Sequence, residues 1–166
     1  CHDAHASNHR MILKADGQDL CAECHQPIMD RVANASVKHS AVTEDKACVN
    51  CHQAHASDFP GVLIKDRLAL CFDCHAEPVD MPDGTKLADI KAEFASGDHL
   101  HGPVKQHECA ACHEVHGAEN FRLLIEQYPA EFYAAFEPEN YDLCFECHNP
   151  DLVRDPVQAD ALTDPG

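Results

Sequence analysis

The sequence predicts a fold of short helices and irregular chain, with little or no sheet, built around a core that side chains do not fill. Tryptophan is absent and aromatic residues make up 6% of the 166 residues, whereas the chain has 11 cysteines and 14 histidines. Strand-like alternation of apolar and polar residues is weak throughout. A chain with few core-forming side chains and many ligand-type side chains needs another component in its core.

Five complete Cys-x-x-Cys-His motifs predict what that component is. On a helical turn, positions i, i+3 and i+4 share a face, so this spacing presents two thiols and an imidazole together. The thiols form thioethers with the two vinyl groups of haem, and the histidine binds the iron as its proximal ligand. The motifs are CAECH at 21–25, CVNCH at 48–52, CFDCH at 71–75, CAACH at 109–113 and CFECH at 144–148.

The first two residues are interpreted as the end of a sixth motif. Residues 1–25 align without a gap to residues 51–75, which places Cys1 and His2 in the positions of Cys51 and His52. We therefore expect the chain to be a fragment whose first cysteine of this motif precedes residue 1. The alternative is a lipoprotein with Cys1 as its modified N-terminus, which leaves the match between the two segments unexplained.

The haem interpretation accounts for every cysteine and for six histidines, and it predicts five to six covalent haem c groups per chain. A zinc site is the competing interpretation, but zinc takes four ligands in a tetrahedral set and leaves the histidine after each motif unexplained. The predicted thioether cysteines are Cys1, Cys21, Cys24, Cys48, Cys51, Cys71, Cys74, Cys109, Cys112, Cys144 and Cys147. The predicted proximal histidines are His2, His25, His52, His75, His113 and His148.

The motifs occur in pairs, which predicts three two-haem modules. The two motifs of a pair are separated by a short apolar stretch, which is Met11 to Leu13, Val62 to Ile64 or Leu123 to Ile125. The expected modules are residues 1–35 with the truncated motif, 36–97 with a linker helix, and 98–166 with a helical insertion and a C-terminal tail.

Five further histidines recur in register and are candidate distal ligands. His5, His55 and His116 follow a proximal histidine by three positions, and His39 and His101 lie in matching phrases before the second and third modules. Two imidazoles on one helical face cannot bind opposite sides of one porphyrin, so the second should bind a neighbouring haem. We expect His39 and His55 to serve the haems of the second module, and His101 and His116 those of the third. In the first module, His5 is the one candidate.

The remaining histidines and the methionines do not recur in register. We therefore expect no methionine ligation, and surface or supporting roles for His9, His99 and His107. For His99 the alternative is that it competes with His101 as a distal ligand.

Two segments outside the motifs are predicted to be packing helices. A turn-rich linker with Pro78, Pro82 and Asp83-Gly84 precedes the segment 86–96, which has helical spacing of Leu87, Ile90 and Phe94. The segment 129–140 begins with a proline suited to a helix N-terminus and has an apolar face formed by Phe132, Tyr133 and Phe136.

The charge pattern excludes one class of partner. The formal net charge is -17, so a nucleic-acid or anionic membrane surface is not expected to bind. No apolar run approaches the ~20 residues of a transmembrane helix. Since haem is attached to CxxCH motifs outside the cytoplasm, we expect a periplasmic or extracellular protein whose signal peptide is not part of these residues.

The motifs resemble those of multihaem c-type cytochromes with doubled CxxCH motifs, common among bacteria that respire extracellular metals. The resemblance rests on HxxV before a module, CxxCHxxH followed by Ala or Gly, the apolar stretch and LCxxCH, and it covers most of the chain. It implies a multihaem cytochrome c fold, with chain wrapped round a stacked array of bis-histidine haems. Expected partners are other redox proteins, copies of the chain itself, or extracellular metal oxides.

The expected function is electron transfer rather than catalysis. About 28 residues per haem leave little room for a substrate pocket. The alternative is a nitrite- or hydroxylamine-type reductase in which one haem keeps an open coordination position. Tyr128, Tyr133 and Tyr141 are available near the last haem, although packing is their expected role.

Overall fold

Short helices and irregular chain make up the computed structural model, which describes residues 1–44, 46–81, 84–131 and 133–153. Its α-helices are α1 (Gly17–Asn34), α2 (Ser40–Thr43), α3 (Arg67–His75), α4 (Ile90–Ser96), α5 (Gly102–Lys105) and α6 (Asp142–Phe145). Its 3-10 turns are Arg10–Ile12, Ala47–Asn50, Pro60–Val62, Cys109–Ala111, Phe121–Leu123, Pro138–Tyr141 and Pro150–Val153. One antiparallel pair joins β1 (Val79–Asp80) to β2 (Lys86–Leu87). The predicted fold class is confirmed.

The CxxCH motifs form helical turns, as their spacing predicts. The motifs at 21–25 and 71–75 lie within α1 and α3, and the other three begin in α6 or in 3-10 turns. The backbone N–H of each of these last three histidines donates to the carbonyl of the first cysteine of its motif. The distances are 3.0, 3.1 and 2.9 Å for His52, His113 and His148. Each motif therefore presents its thiols and its imidazole from one turn.

Helix α1 is kinked just after its haem motif. His25 leaves helical geometry with φ −111° and ψ 33°, and Pro27 follows inside the helix. Proline removes a backbone donor and its ring clashes with the carbonyl four residues earlier, which explains the bend. No helix in the described part of the chain is long and apolar enough to cross a membrane.

The predicted linker helix is present as α4, three residues shorter at its start than Leu87 suggested. Leu87 belongs to β2, and the helix begins after Asp89, whose side chain accepts the backbone N–H of Ala92 at 2.8 Å. Phe94 packs edge-on against Phe72 of α3, with ring centroids 5.9 Å apart. The linker helix is thus attached to the motif at 71–75. Pro82 and Asp83 of the predicted turn lie outside the described residues.

The prediction of a helix in the insertion of the third module is wrong. The described residues between Pro129 and Glu137 contain no helix, and Tyr133 is 91% exposed. Phe136 stacks on Tyr141 at 5.4 Å instead. Pro138 disfavours helical geometry in the residue before it, and Glu137 is extended with φ −125° and ψ 124°. Phe132 lies outside the described residues.

Few side chains of the described residues form a core. The buried apolar residues are Ala35, Ala47, Ala118 and Leu124, and no large side chain is fully buried. A domain of this length normally buries many large apolar side chains. The described chain therefore has the small polypeptide core that its composition predicts.

Candidate functional site

Three tight turns hold the first histidine of each module in the same way. The Nδ1 of His2, His52 and His113 lies 2.9, 2.8 and 3.0 Å from the backbone carbonyl nine residues later. A carbonyl is only an acceptor, so Nδ1 must carry the proton and donate. Nε2 then keeps its lone pair for a metal ion.

Each of these carbonyls belongs to a residue in the left-handed region. The values of φ are 56° for Met11, 71° for Gly61 and 54° for Arg122. A non-glycine residue costs roughly 1–2 kcal/mol in this conformation. Two of the three modules therefore carry backbone strain at the residue that orients a proximal histidine.

Four predicted proximal histidines each lie opposite one predicted distal histidine. The ring centroids are 6.0–6.2 Å apart and the ring planes differ by 13–28°. The pairs are His2 with His55, His39 with His75, His52 with His116, and His101 with His148. Every pair combines a CxxCH histidine with one of the recurring histidines.

The expectation that distal histidines serve their own module needs correction for two of the four. His55 lies opposite His2 of the first module, and His116 lies opposite His52 of the second. His39 and His101 do face the second motif of their own module, at His75 and His148. The inference that the second histidine of CHxxH reaches a neighbouring site agrees with the structure. Its helical premise does not, because residues 53–55 and 114–116 are not helical.

The separation of the paired rings fits two imidazoles bound to one iron. A metal-bound imidazole nitrogen lies about 2.0 Å from the metal and about 1.1 Å from its own ring centre, so two axial imidazoles place their centroids about 6 Å apart. In the described residues, no group of three or more His, Cys, Asp or Glu side chains converges as a metal site. The four histidine pairs have the separation that two axial ligands of one haem iron would need.

One short segment of the third module, residues 114–118, links all three modules at this site. Its Val115 carbonyl accepts from Nδ1 of His39 at 3.2 Å. Its Ala118 exchanges two backbone hydrogen bonds with Val37, at 2.8 and 3.0 Å. The guanidinium of Arg31 from α1 binds the carboxylate of Glu114. Segment 114–118 thereby fixes the positions of two distal histidines, His39 and its own His116.

Gly117 in segment 114–118 permits a close approach to α1. Its φ is 122°, which L side chains rarely adopt, and a Cβ there would lie 2.7 Å from the Cβ of Ala35. Only glycine combines this backbone angle with this packing distance. The backbone angle and the packing against Ala35 therefore both favour glycine at position 117.

Burial favours the neutral form of two of the paired histidines. Burial lowers the pKa of His75 from its ordinary value, and the neighbouring His39 and His113 add to this. Burial also lowers the pKa of His39, against the opposing effect of the Val115 carbonyl. A metal ligand must be the neutral imidazole. Nδ1 of His75 is buried without a hydrogen-bond partner in the described part of the chain, so the site lacks one polar contact that a bound group can supply.

The cysteines of consecutive motifs are neighbours. The thiol of Cys71 lies near that of Cys109, and burial, followed by this neighbour, raises the pKa of Cys71 to about 11. Burial followed by a nearby thiol also raises the pKa of Cys21 beside Cys48, of Cys51 beside Cys74, and of Cys112 beside Cys147. Five motifs are therefore adjacent in sequence order, from the motif at 21–25 to the motif at 144–148.

The ring pairs do not include three predicted ligands. His25 and His113 are exposed, and neither forms a histidine ring pair in the described part of the chain. His5 is exposed as well. Two of the histidines that were expected to have surface or supporting roles make other contacts. Nδ1 of His9 lies 2.6 Å from Oδ2 of Asp16, and the ring centroids of His107 and Phe94 are 5.7 Å apart.

Sequence reasoning missed the residues that orient the distal ligands. Glu114 and Val115 lie between the recognised ligands His113 and His116, and Gly117 follows His116 where the other two modules have Ala6 and Ala56. A signal was available for one of them, because the three modules carry Asp3, Gln53 and Glu114 at the same position. A carboxylate this close in sequence to a ligand histidine can contact the imidazole and tune it.

The comparison with protein-family models agrees with this geometry. A family model described as the doubled CXXCH motif matches residues 1–30, 39–80 and 101–152, which is most of the chain. No curated protein matches the chain at a significant level. The CXXCH motifs indicate covalently bound haem c, and the chain belongs to the doubled CXXCH motif family of multihaem c-type cytochromes.

Proposed function

We propose that this chain transfers electrons along a row of about six c-type haems, most of them ligated by two histidines. The observation that carries the proposal is the set of four histidine pairs with one common separation of 6.0–6.2 Å. An iron with two histidine ligands has no open position for a substrate, so it exchanges electrons and nothing else.

The adjacency of the motifs supports a continuous path. The haems attached at 21–25, 48–52, 71–75, 109–113 and 144–148 follow one another because their cysteines are neighbours. Cysteines at the edge of one porphyrin that approach those of the next bring the two macrocycles close. The proposed path therefore follows the order of the motifs in the sequence.

The haem would supply the one-electron chemistry, and the residues of this chain would control its position and its ligands. The left-handed turns hold Nδ1 of His2, His52 and His113, which would leave Nε2 to bind an iron. Segment 114–118 positions His39 and His116, each of which would ligate a haem. The cysteine thiols would supply both sulfur and hydrogen for addition across the vinyl groups.

From the pairing pattern we also propose how the row of haems continues. His55 and His116 each lie opposite a proximal histidine of the preceding module. By the same step, His5 would ligate a haem other than the six counted here. A further module or another copy of the chain is the proposed partner, alongside other redox proteins and extracellular metal oxides.

The proposed organisation is three two-haem units, residues 1–35, 36–97 and 98–166, in a periplasmic or extracellular protein. The matched segments 1–30, 39–80 and 101–152 support the division. The location is supported by covalent haem c attachment, which takes place outside the cytoplasm.

Counting low-spin haems in the haem-loaded chain tests the proposal. His116→Ala removes one of the paired ligands, so the optical and EPR spectra should show one additional high-spin haem. His99→Ala is the matched control, because His99 is exposed and forms no histidine ring pair in the described residues. Equal spectra for the two variants, or a largely high-spin spectrum of the unsubstituted chain, would contradict bis-histidine electron transfer.

A reductase remains the second candidate because of one observation. His25 and His113 face no histidine ring in the described part of the chain, and an open iron at either motif is a site for a small ligand. Steady-state assays with nitrite and hydroxylamine distinguish the two functions. Substrate turnover that carbon monoxide inhibits would support a reductase. No turnover, together with haem spectra that the substrates do not change, would support electron transfer.

A further inference from the structure

We infer that Glu114 is a positioning residue that lowers the reduction potential of the haem held between His52 and His116. The inference rests on the proposed function and deepens it. It assigns a difference in potential between two haems to one side chain. The evidence is the set of contacts around Glu114 and the different residue at the same position of the second module.

The carboxylate of Glu114 is fixed at both oxygens. Oε1 accepts the backbone N–H of His116 at 3.2 Å and lies 3.4 Å from Nδ1 of the same histidine. The guanidinium of Arg31 binds Oε2. The side chains of Glu114 and His116 are 27% and 29% exposed, so solvent screens their interaction only in part.

This arrangement places a carboxylate beside His116. Oε1 of Glu114 lies 3.4 Å from Nδ1 of His116, and the ring of His52 lies 6.2 Å from that of His116. A negative charge beside an iron ligand stabilises ferric iron more than ferrous iron, because ferric iron has one more positive charge. The carboxylate of Glu114 therefore lowers the reduction potential.

Arg31 has two opposing effects on this haem. Its positive charge offsets part of the carboxylate charge, which limits the decrease in potential. Its contact with Oε2 also holds the carboxylate in place, which leaves Oε1 for His116.

The second module provides an internal comparison. Gln53 occupies the position of Glu114, and the distal histidine that follows it is His55, opposite His2. Gln53 has no negative charge, so it cannot stabilise ferric iron beside His55 as a carboxylate would. The haem between His2 and His55 should therefore have the higher potential of the two on this account.

Reciprocal substitutions test the inference in the haem-loaded chain. Glu114→Gln should raise the potential of the haem of His52, and Gln53→Glu should lower that of the haem of His2. We expect each to change the ratio of reduced to oxidised haem at a fixed potential by roughly tenfold, which is about 59 mV for one electron. Haem methyl signals followed by NMR through a redox titration resolve the individual haems.

The control is Glu119→Gln, which removes the same charge from a nearby residue that accepts a hydrogen bond from Ser36 at 2.5 Å. If Glu114→Gln shifts no haem more than this control does, and Gln53→Glu has no effect, the inference is wrong. High-spin signals at the haem of His52 in the unsubstituted chain would instead contradict the proposed function, so the two failures are distinguishable.

Discussion

The packing of Gly117 against α1 leads to the sharpest prediction about stability. In Gly117→Ala, the new side chain must adopt a φ of 122° and meets the Cβ of Ala35 at 2.7 Å. The backbone conformation costs roughly 1–3 kcal/mol. Overlap with an atom that cannot rotate away costs roughly another 1–3 kcal/mol. We expect the free energy of unfolding to fall by about 2–6 kcal/mol, which is a large part of the roughly 5–15 kcal/mol of a typical domain.

Denaturant unfolding of the haem-loaded chain measures this loss. Gly102→Ala is the matched control, because a Cβ at Gly102 meets nothing within 4 Å. The double variant Gly117→Ala with Ala35→Gly removes the overlap and leaves the backbone strain, so a double-mutant cycle should recover about half of the loss. A Gly117→Ala protein as stable as the Gly102→Ala control, or a cycle without coupling, would refute the packing argument.

Two other predictions concern the left-handed turns and a second distal ligand. Gly61→Ala places a side chain at φ 71° and should lower the free energy of unfolding by roughly 1 kcal/mol. Arg122→Gly relieves the strain at φ 54° and should be neutral or stabilising. If both variants lower the free energy of unfolding by equal amounts, the turns are not strained. His39→Ala should convert the haem of His75 to high spin, with the His99→Ala spectrum as reference; an unchanged spectrum would show that another group binds that iron.

The sequence was sufficient to predict the chemistry of the motifs but not their pairing. The CxxCH spacing is a local property, so the helical turns and the doubled motifs could be predicted from the residues alone. The pairing of His55 with His2 depends on how modules pack together, and a spacing of three residues carries no information about that. An assignment within one module was the simplest expectation, and it was wrong for two histidines.

Local signals also misled at the insertion in the third module. The apolar spacing of Tyr133 and Phe136 suggested a helix, but Pro138 holds Glu137 extended and Phe136 stacks on Tyr141. Periodicity is a weak guide in a segment this short, because short helices depend on tertiary packing. Gly117 was also beyond prediction, since its importance arises from contact with a helix more than 80 residues earlier in the chain.

An experimental structure of the haem-loaded chain tests the cross-module pairing most directly. We expect His116 to bind the iron of the haem attached at Cys48 and Cys51, opposite His52. We also expect His55 to bind the iron opposite His2. His116 bound to an iron of its own module, or His52 without a histidine opposite it, would contradict the account.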